Sequence, residues 1–415
     1  MAPVFLAACA VPDGGLFRAE RYRDVHLYGV YADRFLRGEL PYRDLFVEYP
    51  PGAFAVFLPP AVLPGGAYNF AFKSLMALCG LAALFAVTIA LATLGARGRR
   101  LYAAAGLFAL SPIAVGPISL NTYDLFPAAL TVGALAALLR RRDLLAFGLL
   151  GLAVSAKLYP LVLVPPAAAY LWTVAGRRRV LQSLLVLCGV VALVVAPFAL
   201  LAPGGLWDSF HAQYSRGLQI ESLGGAALLA AHRLGLYDAT VVRGSTGAVT
   251  RDLAGPLADS IATLMSVLQL AAVAAVWALY ARVRRDPERL ALAFAAAATG
   301  FLVFNRFLSP QYLVWLIPLV LLVPGRSGPA AGALLATSLV LGQIWFFHYR
   351  DVWALDRIVW LVVARDAALA VLFAVLVARL WKTSTPSSEK TSRHWGLRRS
   401  RASRLAVARG SERSA

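Results

Sequence analysis

Three groups of ionisable side chains stand among apolar ones. The first opens RYRDVHLYGVYADRFLRGELPYRDLFVEYPP, residues 21–51, a stretch with ten charged residues and five tyrosines. Asp24 leads it. On a helix, Asp24 and Tyr28 stand one turn apart on a common face, with Tyr31 close by. A carboxylate partly shielded from water holds its proton more tightly and can serve as a general base. The alternative is a solvated carboxylate, or a partner to Arg21 or Arg23. Glu48 and Tyr49 form the second group. Pro50 biases Tyr49 towards an extended backbone, and Glu48 could bind a sugar hydroxyl or pair with Arg43. The third is Lys157 in AVSAKLYPL. An ammonium in an apolar run is costly, which points to function, and it suits a lipid phosphate. The alternative is a lysine that snorkels to the interface.

Shorter polar breaks add to these. Asn121 and Asp124 in NTYD could hydrogen-bond a sugar or cap the following helix. Arg306 and Gln311 lie in FNRFLSPQY, where an arginine suits bidentate phosphate contact. His211 and Arg216 lie in FHAQYSRGLQIES and could cover the same site. There is no P-loop, no G-x-S-x-G, no H-E-x-x-H and no D-x-D pair. A nucleotide held by a divalent metal is therefore not expected, and neither a metal nor a cofactor is assigned. The three cysteines all lie in apolar segments with no Cys/His partner pattern, so no disulfide framework or zinc site is indicated.

The elements that must position these groups are membrane helices. The chain has 415 residues, 60% hydrophobic and 15% charged, and its apolar runs repeatedly approach the roughly 20 residues that span a bilayer. The expectation is an all-α polytopic membrane protein with about 12 transmembrane helices: 2–12, 68–94, 101–119, 125–139, 144–156, 158–174, 180–203, 261–282, 290–304, 311–323, 329–347 and 358–381. Residues 53–64, with Pro59 and Pro60, read as a half-inserted or interfacial helix. Basic residues gather in short loops, at Arg97, Arg99 and Arg100, at Arg140 to Arg142, at Arg177 to Arg179, and at Arg282, Arg284 and Arg285. That is the positive-inside pattern, so the formal charge of +19 points to topology rather than to nucleic acid. Two long loops, 13–67 and 204–260, then face outward. A transmembrane domain over 1–381 precedes a basic, disordered cytoplasmic tail at 382–415. Met1 to Pro12 reads as the end of a first helix whose start lies upstream.

The order of the blocks resembles a known family. An aspartate after the first helix, then G-x-L-P-Y-R-D and E-Y-P-P, followed by YDLFPAAL, AVSAKLYPLVLVPP, SRGLQIES and FLSPQYLVWLIP, is similar to the GT-C glycosyltransferases, and most of all to glycosyltransferase family 87. The resemblance covers roughly residues 20 to 320. It implies a GT-C fold in the plasma membrane of a bacterium, with the active site facing outside; the Ala-, Arg-, Leu- and Gly-rich usage suggests an actinobacterium. It implies transfer of a sugar, mannose by analogy, from a polyprenyl-phosphate carrier to a glycolipid or polysaccharide acceptor, with inversion. Asp24 matches the family's base, and Lys157 and Arg306 match its carrier-phosphate contacts. Tyr28, Glu48, Tyr49, Asn121, Asp124, His211, Arg216 and Gln311 then fall to the sugar and acceptor. Some family members carry histidines after the late S-P, where this chain has Gln311 and Tyr312. A transporter or flippase of lipid-linked saccharides is the alternative; it predicts internal repeats and charge along a path through the bilayer.

Overall fold

A computed structural model describes residues 1–12, 24–63, 66–244, 250–282, 285–348, 352 and 354–382. The tail at 383–415, residues 13–23 of the first long loop and Arg284 lie outside the described residues. Helix α1 (Ala2–Val11) precedes the first loop, which is itself largely ordered. It holds the amphipathic α2 (Asp24–Leu36), then an irregular stretch, a 3₁₀ turn at Pro51–Ala53 and α3 (Phe54–Ala61). Pro59 and Pro60 fall near the end of α3, after which the chain turns into α4 (Tyr68–Thr93). Short loops then join α5 (Gly98–Val115), α6 (Ile118–Asn121), α7 (Leu125–Leu139) and α8 (Asp143–Ala156). A 3₁₀ turn at Tyr159–Leu163 leads into α9 (Val164–Leu201), which breaks at Gly176 with φ 78°. Only glycine adopts that conformation at low cost, and Arg177 to Arg179 follow at once.

The second long loop carries α10 (Pro203–Tyr214), β1 (Leu218–Gln219), α11 (Leu223–Arg233), β2 (Thr240–Arg243) and β3 (Arg251–Ala254). Its strands form a small antiparallel sheet in the order β1-β3-β2, with Leu218 opposite Leu253 and Val242 opposite Asp252. This sheet corrects the all-α expectation. TVVR is a short β-branched run outside the apolar segments, and its pairing with RDLA satisfies the backbone of both. The chain closes with α12 (Pro256–Arg282), α13 (Pro287–Val303), a 3₁₀ turn at Pro310–Trp315, α14 (Leu316–Val320), α15 (Ser327–Phe347) and α16 (Val359–Lys382).

Among the described residues, five helical stretches are long and apolar enough to cross a membrane: Tyr68–Thr93, Tyr159–Leu201, Pro256–Arg282, Ser327–Phe347 and Val359–Lys382. The expected helices at 125–139 and 144–156 are present, but at 15 and 14 residues they reach only about 22 Å, short of a hydrocarbon core of roughly 30 Å. Both are enclosed by neighbours; α7 packs against α4 and α8, and α8 against α9. The basic loops meet at one end of the bundle. The Arg141 guanidinium donates to the Val174 carbonyl at 2.8 Å, Arg179 pairs with Asp143 at 3.1 Å, and Arg285 donates to the Ala169 carbonyl at 3.2 Å. The long loops and the turns at 121–124, 157 and 305–312 gather at the other end.

Candidate functional site

Lys157 is the floor of that opposite end. It is the residue after α8, extended at φ −159°, and its backbone N–H closes the helix on the Ala153 carbonyl. Its side chain is only 12% exposed, and its ammonium lies 2.5 Å from Asp124 Oδ1. The same oxygen accepts from the Trp315 indole at 2.6 Å. Three rings surround the ammonium: Tyr123 at 4.4 Å, Trp315 at 4.9 Å and Tyr312 at 5.2 Å. Behind them Tyr159, Trp315 and Tyr312 form a continuous stack, with centroids 4.2 and 4.5 Å apart. Burial pulls the Lys157 pKa down, and the Asp124 carboxylate works against that pull. Asp124 makes no side-chain cap to α7, so the capping role open to it from the sequence is not the one it takes. Its second oxygen is buried with no hydrogen-bond partner among the described residues. Asn121, in contrast, donates to the Pro117 carbonyl at 2.8 Å and closes its own turn.

The first long loop supplies the carboxylates. Asp24 opens α2, partly buried, with Tyr28 buried one turn on. Its pKa is pushed up to about 7, first by burial and then by the carboxylates of Glu48 and Asp124, with Lys157 pulling the other way. Glu48 is raised by burial, against the opposing charges of Arg216 and Lys157. Burial first, and then the neighbouring carboxylates of Glu48 and Asp124, thus leave Asp24 holding its proton close to neutrality. Tyr28, Tyr49, Phe57 and Tyr123 pack edge-on and face-on between 4.3 and 5.8 Å, forming an aromatic wall. Tyr42 donates to the Tyr49 carbonyl at 2.6 Å and fixes the turn into the EYPP stretch. A Cβ on Gly52 would lie 2.5 Å from the Ser155 backbone carbon, so EYPPG sits directly on the peptide leading to Lys157.

The second long loop closes over the first. Arg216 pairs with Glu48 at 3.2 Å, both side chains 11% exposed, and the Gln213 amide donates to the Glu48 carbonyl at 2.9 Å. Arg216 also lies 5.0 Å from the Phe307 ring. Gln219 binds the late block twice: its N–H donates to the Arg306 carbonyl at 3.0 Å, and its side-chain oxygen accepts from Leu308 N–H at 2.9 Å. Gln311, half-buried, is the second residue of the 3₁₀ turn that carries Tyr312 and Trp315. Two residues stand apart. Arg306 donates to the Tyr214 carbonyl at 2.5 Å and lies 5.3 Å from the Tyr214 ring, in an exposed contact. His211 is exposed, beside Trp207 at 6.4 Å.

The structure therefore joins Asp24, Tyr28, Glu48, Tyr49, Asp124, Lys157 and Arg216; of Gln311 it shows only that it shares the 3₁₀ turn of Tyr312 and Trp315. Tyr123, Tyr159, Tyr312 and Trp315 complete the floor without having been singled out from the sequence. Their signal was adjacency: each is within four residues of a polar break already noted. Among the described residues no group of three or more His, Cys, Asp or Glu is placed to hold a metal. The arrangement offers a carboxylate able to take a proton near neutrality, two cations for an anion, and aromatic faces for a ring. No curated protein matches the chain. The model of glycosyltransferase family 87 matches residues 46–305, more than half of the sequence, and the chain belongs to that family of membrane glycosyltransferases.

Proposed function

We propose that the protein transfers a sugar, mannose by family analogy, from a polyprenyl-phosphate carrier to a lipid-linked or cell-envelope glycan, at the outer face of the plasma membrane. In this reading the shorter apolar helices also cross, giving about 12 passes with the basic loops inside. The observation that supports it is the meeting of Asp24, Lys157 and the Glu48–Arg216 pair at the end of the bundle opposite the arginine clusters. A transporter would instead distribute its charge along a path through the bilayer.

The roles follow from the chemistry. The acceptor hydroxyl attacks the anomeric carbon from the face opposite the phosphate, and the sugar inverts. Asp24 takes the hydroxyl proton as the new C–O bond forms. The bond to the carrier phosphate breaks, and the carrier leaves with one more negative charge than it brought. Lys157 and Arg216 stabilise that developing charge in a site poor in water, where such contacts act most strongly. Arg216 replaces Arg306 in this role, because Arg306 is turned onto Tyr214. A leaving phosphate needs no strong general acid. The aromatic wall suits stacking against a sugar face, and in this reading Asp124 and Gln311 bind its hydroxyls.

The test uses protein in lipid nanodiscs with labelled polyprenyl-phosphate-mannose and a crude envelope-lipid acceptor. Wild type is expected to move label into new lipid or glycan, and Asp24→Asn to lose that transfer by about 10²-fold or more. Equal transfer by Asp24→Asn would sink the base assignment. Movement of intact donor across a vesicle bilayer, with no new glycosidic bond, would favour the transporter.

A further inference from the structure

The most deeply buried ion pair among the described residues lies away from the site, in the last apolar helix. Arg365 is 0% exposed and Asp366 2%, with Arg365 Nε 2.7 Å from Asp366 Oδ1. Both lie in α16, about 9 Å along the axis from its first residue. The guanidinium stands 5.5 Å from the Trp345 ring of α15. Its Nη2 donates to the backbone carbonyl of Glu221 in the second long loop. Nε, Nη1 and both Asp366 oxygens make no hydrogen bond among the described residues, so Asp366 holds the guanidinium by charge and Glu221 is its hydrogen-bond acceptor. Arg365 lies beyond the residues that the family model matches.

Packing alone does not account for this pair. A buried ion pair can generally be replaced by apolar side chains of similar volume with little loss or even a gain in stability. Charges within a membrane helix point to function. What the pair supplies here is a fixed anchor. The Glu221 carbonyl belongs to the short run from Arg216 to Ser222. That run is held to the late block by Gln219 and to β3 by the Ile220 N–H on the Arg251 carbonyl at 3.1 Å. Ser222 ends it by capping α11 through Gly225 N–H at 3.1 Å. Arg216, at the other end of the run, meets Glu48.

We propose that Arg365, held by Asp366 and Trp345, is a positioning residue for glycosyl transfer. By fixing the Glu221 carbonyl it sets the placement of residues 216–222, and through them the Arg216–Glu48 side of the site. This rests on the reading that Arg216 contacts the donor phosphate. The anchor itself does not, so the two are separable.

The test compares wild type, Arg365→Met/Asp366→Leu and Arg365→Lys in nanodiscs. It follows thermal unfolding, amide hydrogen exchange over 216–222, and the KM for labelled polyprenyl-phosphate-mannose. The apolar double variant is expected to unfold near the wild-type temperature. Its Gln219 and Ile220 amides should exchange at least about tenfold faster, and its donor KM should rise by about tenfold, as for a displacement of a fraction of an ångström at a positioned contact. Partial unfolding would lower the maximal rate without moving KM. Arg365→Lys should recover part of both effects. Unchanged exchange in a folded double variant overturns the proposal. If the double variant does not fold, Arg365→Met/Asp366→Asn takes its place, and unchanged exchange in that variant overturns the proposal equally. Faster exchange with no transfer even by wild type would leave the anchor standing and count against the donor.

Discussion

Gly52→Ala tests whether the site depends on the seating of EYPPG against the Lys157 turn. In the structure a Cβ at residue 52 would stand 2.5 Å from the Ser155 carbonyl carbon, 2.6 Å from its oxygen and 2.7 Å from Ala156 N. All three are backbone atoms at the closing turn of α8, so no rotamer change relieves them. Restoring ordinary contact requires the two segments to part by roughly 1 Å. One segment carries Glu48 and Tyr49; the other ends at Lys157, with the Ala156 carbonyl also accepting from Tyr123 at 3.1 Å. Overpacking of this kind costs about 1–3 kcal/mol, so the variant should fold with a lowered unfolding temperature. A 1 Å displacement at a reacting centre costs about 10²-fold in rate. The expected result is therefore a 10- to 100-fold loss of turnover, well beyond the loss of folded protein. Gly189→Ala is the control, since nothing lies within 4 Å of its Cβ position; it should be close to neutral. The assay is label transfer in nanodiscs, normalised to folded protein by thermal unfolding. Wild-type turnover by Gly52→Ala would refute the argument that these two segments must stay in register.

The other expectations concern charge. Transfer should rise with pH through about 7 as Asp24 loses its proton, and a pH–rate profile that is flat from 5 to 8, the range on either side of that value, would remove Asp24 as the titrating base. The folded protein holds this proton more tightly than the unfolded chain, so this residue's contribution to stability falls as pH rises from about 4 to about 7, which chemical denaturation at several pH values checks. Lys157→Met should destabilise by about 3–5 kcal/mol, because it leaves Asp124 buried without its cation; Lys157→Met/Asp124→Asn should recover much of that stability but not transfer. Arg216→Ala should raise the donor KM by about tenfold, the scale of one charge-assisted hydrogen bond, whereas Arg306→Ala should change it by no more than about twofold. Equal effects would restore Arg306 to the site.

The sequence made the helices legible through the length of its apolar runs. The expected 125–139 coincides with α7, and 329–347 differs from α15 by two residues at its start. The break between 158–174 and 180–203 is there too, as the kink at Gly176 within α9. Glu48, Asp124 and Lys157 could be found because each interrupts greasy or aromatic sequence, and Asp24 and Arg216 because they lie in the two long polar loops between apolar runs. The aromatic surround of Lys157 could not. Tyrosine and tryptophan are common at any membrane interface, so Tyr123 and Trp315 carry no local mark of their role. Nor could Arg216 be separated from Arg306. Both are arginines on turns at the same end, and only the path of the chain decides which one meets Glu48. Arg365 and Asp366 were hidden differently: two adjacent charges left the surrounding 24-residue helix apolar enough to read as a plain span.

The clasp between the two long loops has a consequence for biosynthesis. Glu48 meets Gln213 and Arg216, which lie 165 and 168 residues further along the chain. At about 5–20 residues per second, the ribosome needs roughly 10 to 30 s to make the second partner after the first. Through that interval Glu48 has no cover from the second loop and no Arg216 beside it. Its full enclosure is thus acquired late, when α10 and the run after it close. A nascent chain stalled before residue 216 has Glu48 without the Arg216 that pairs with it in the finished fold, so the clasp is the last part of this end of the bundle to be made.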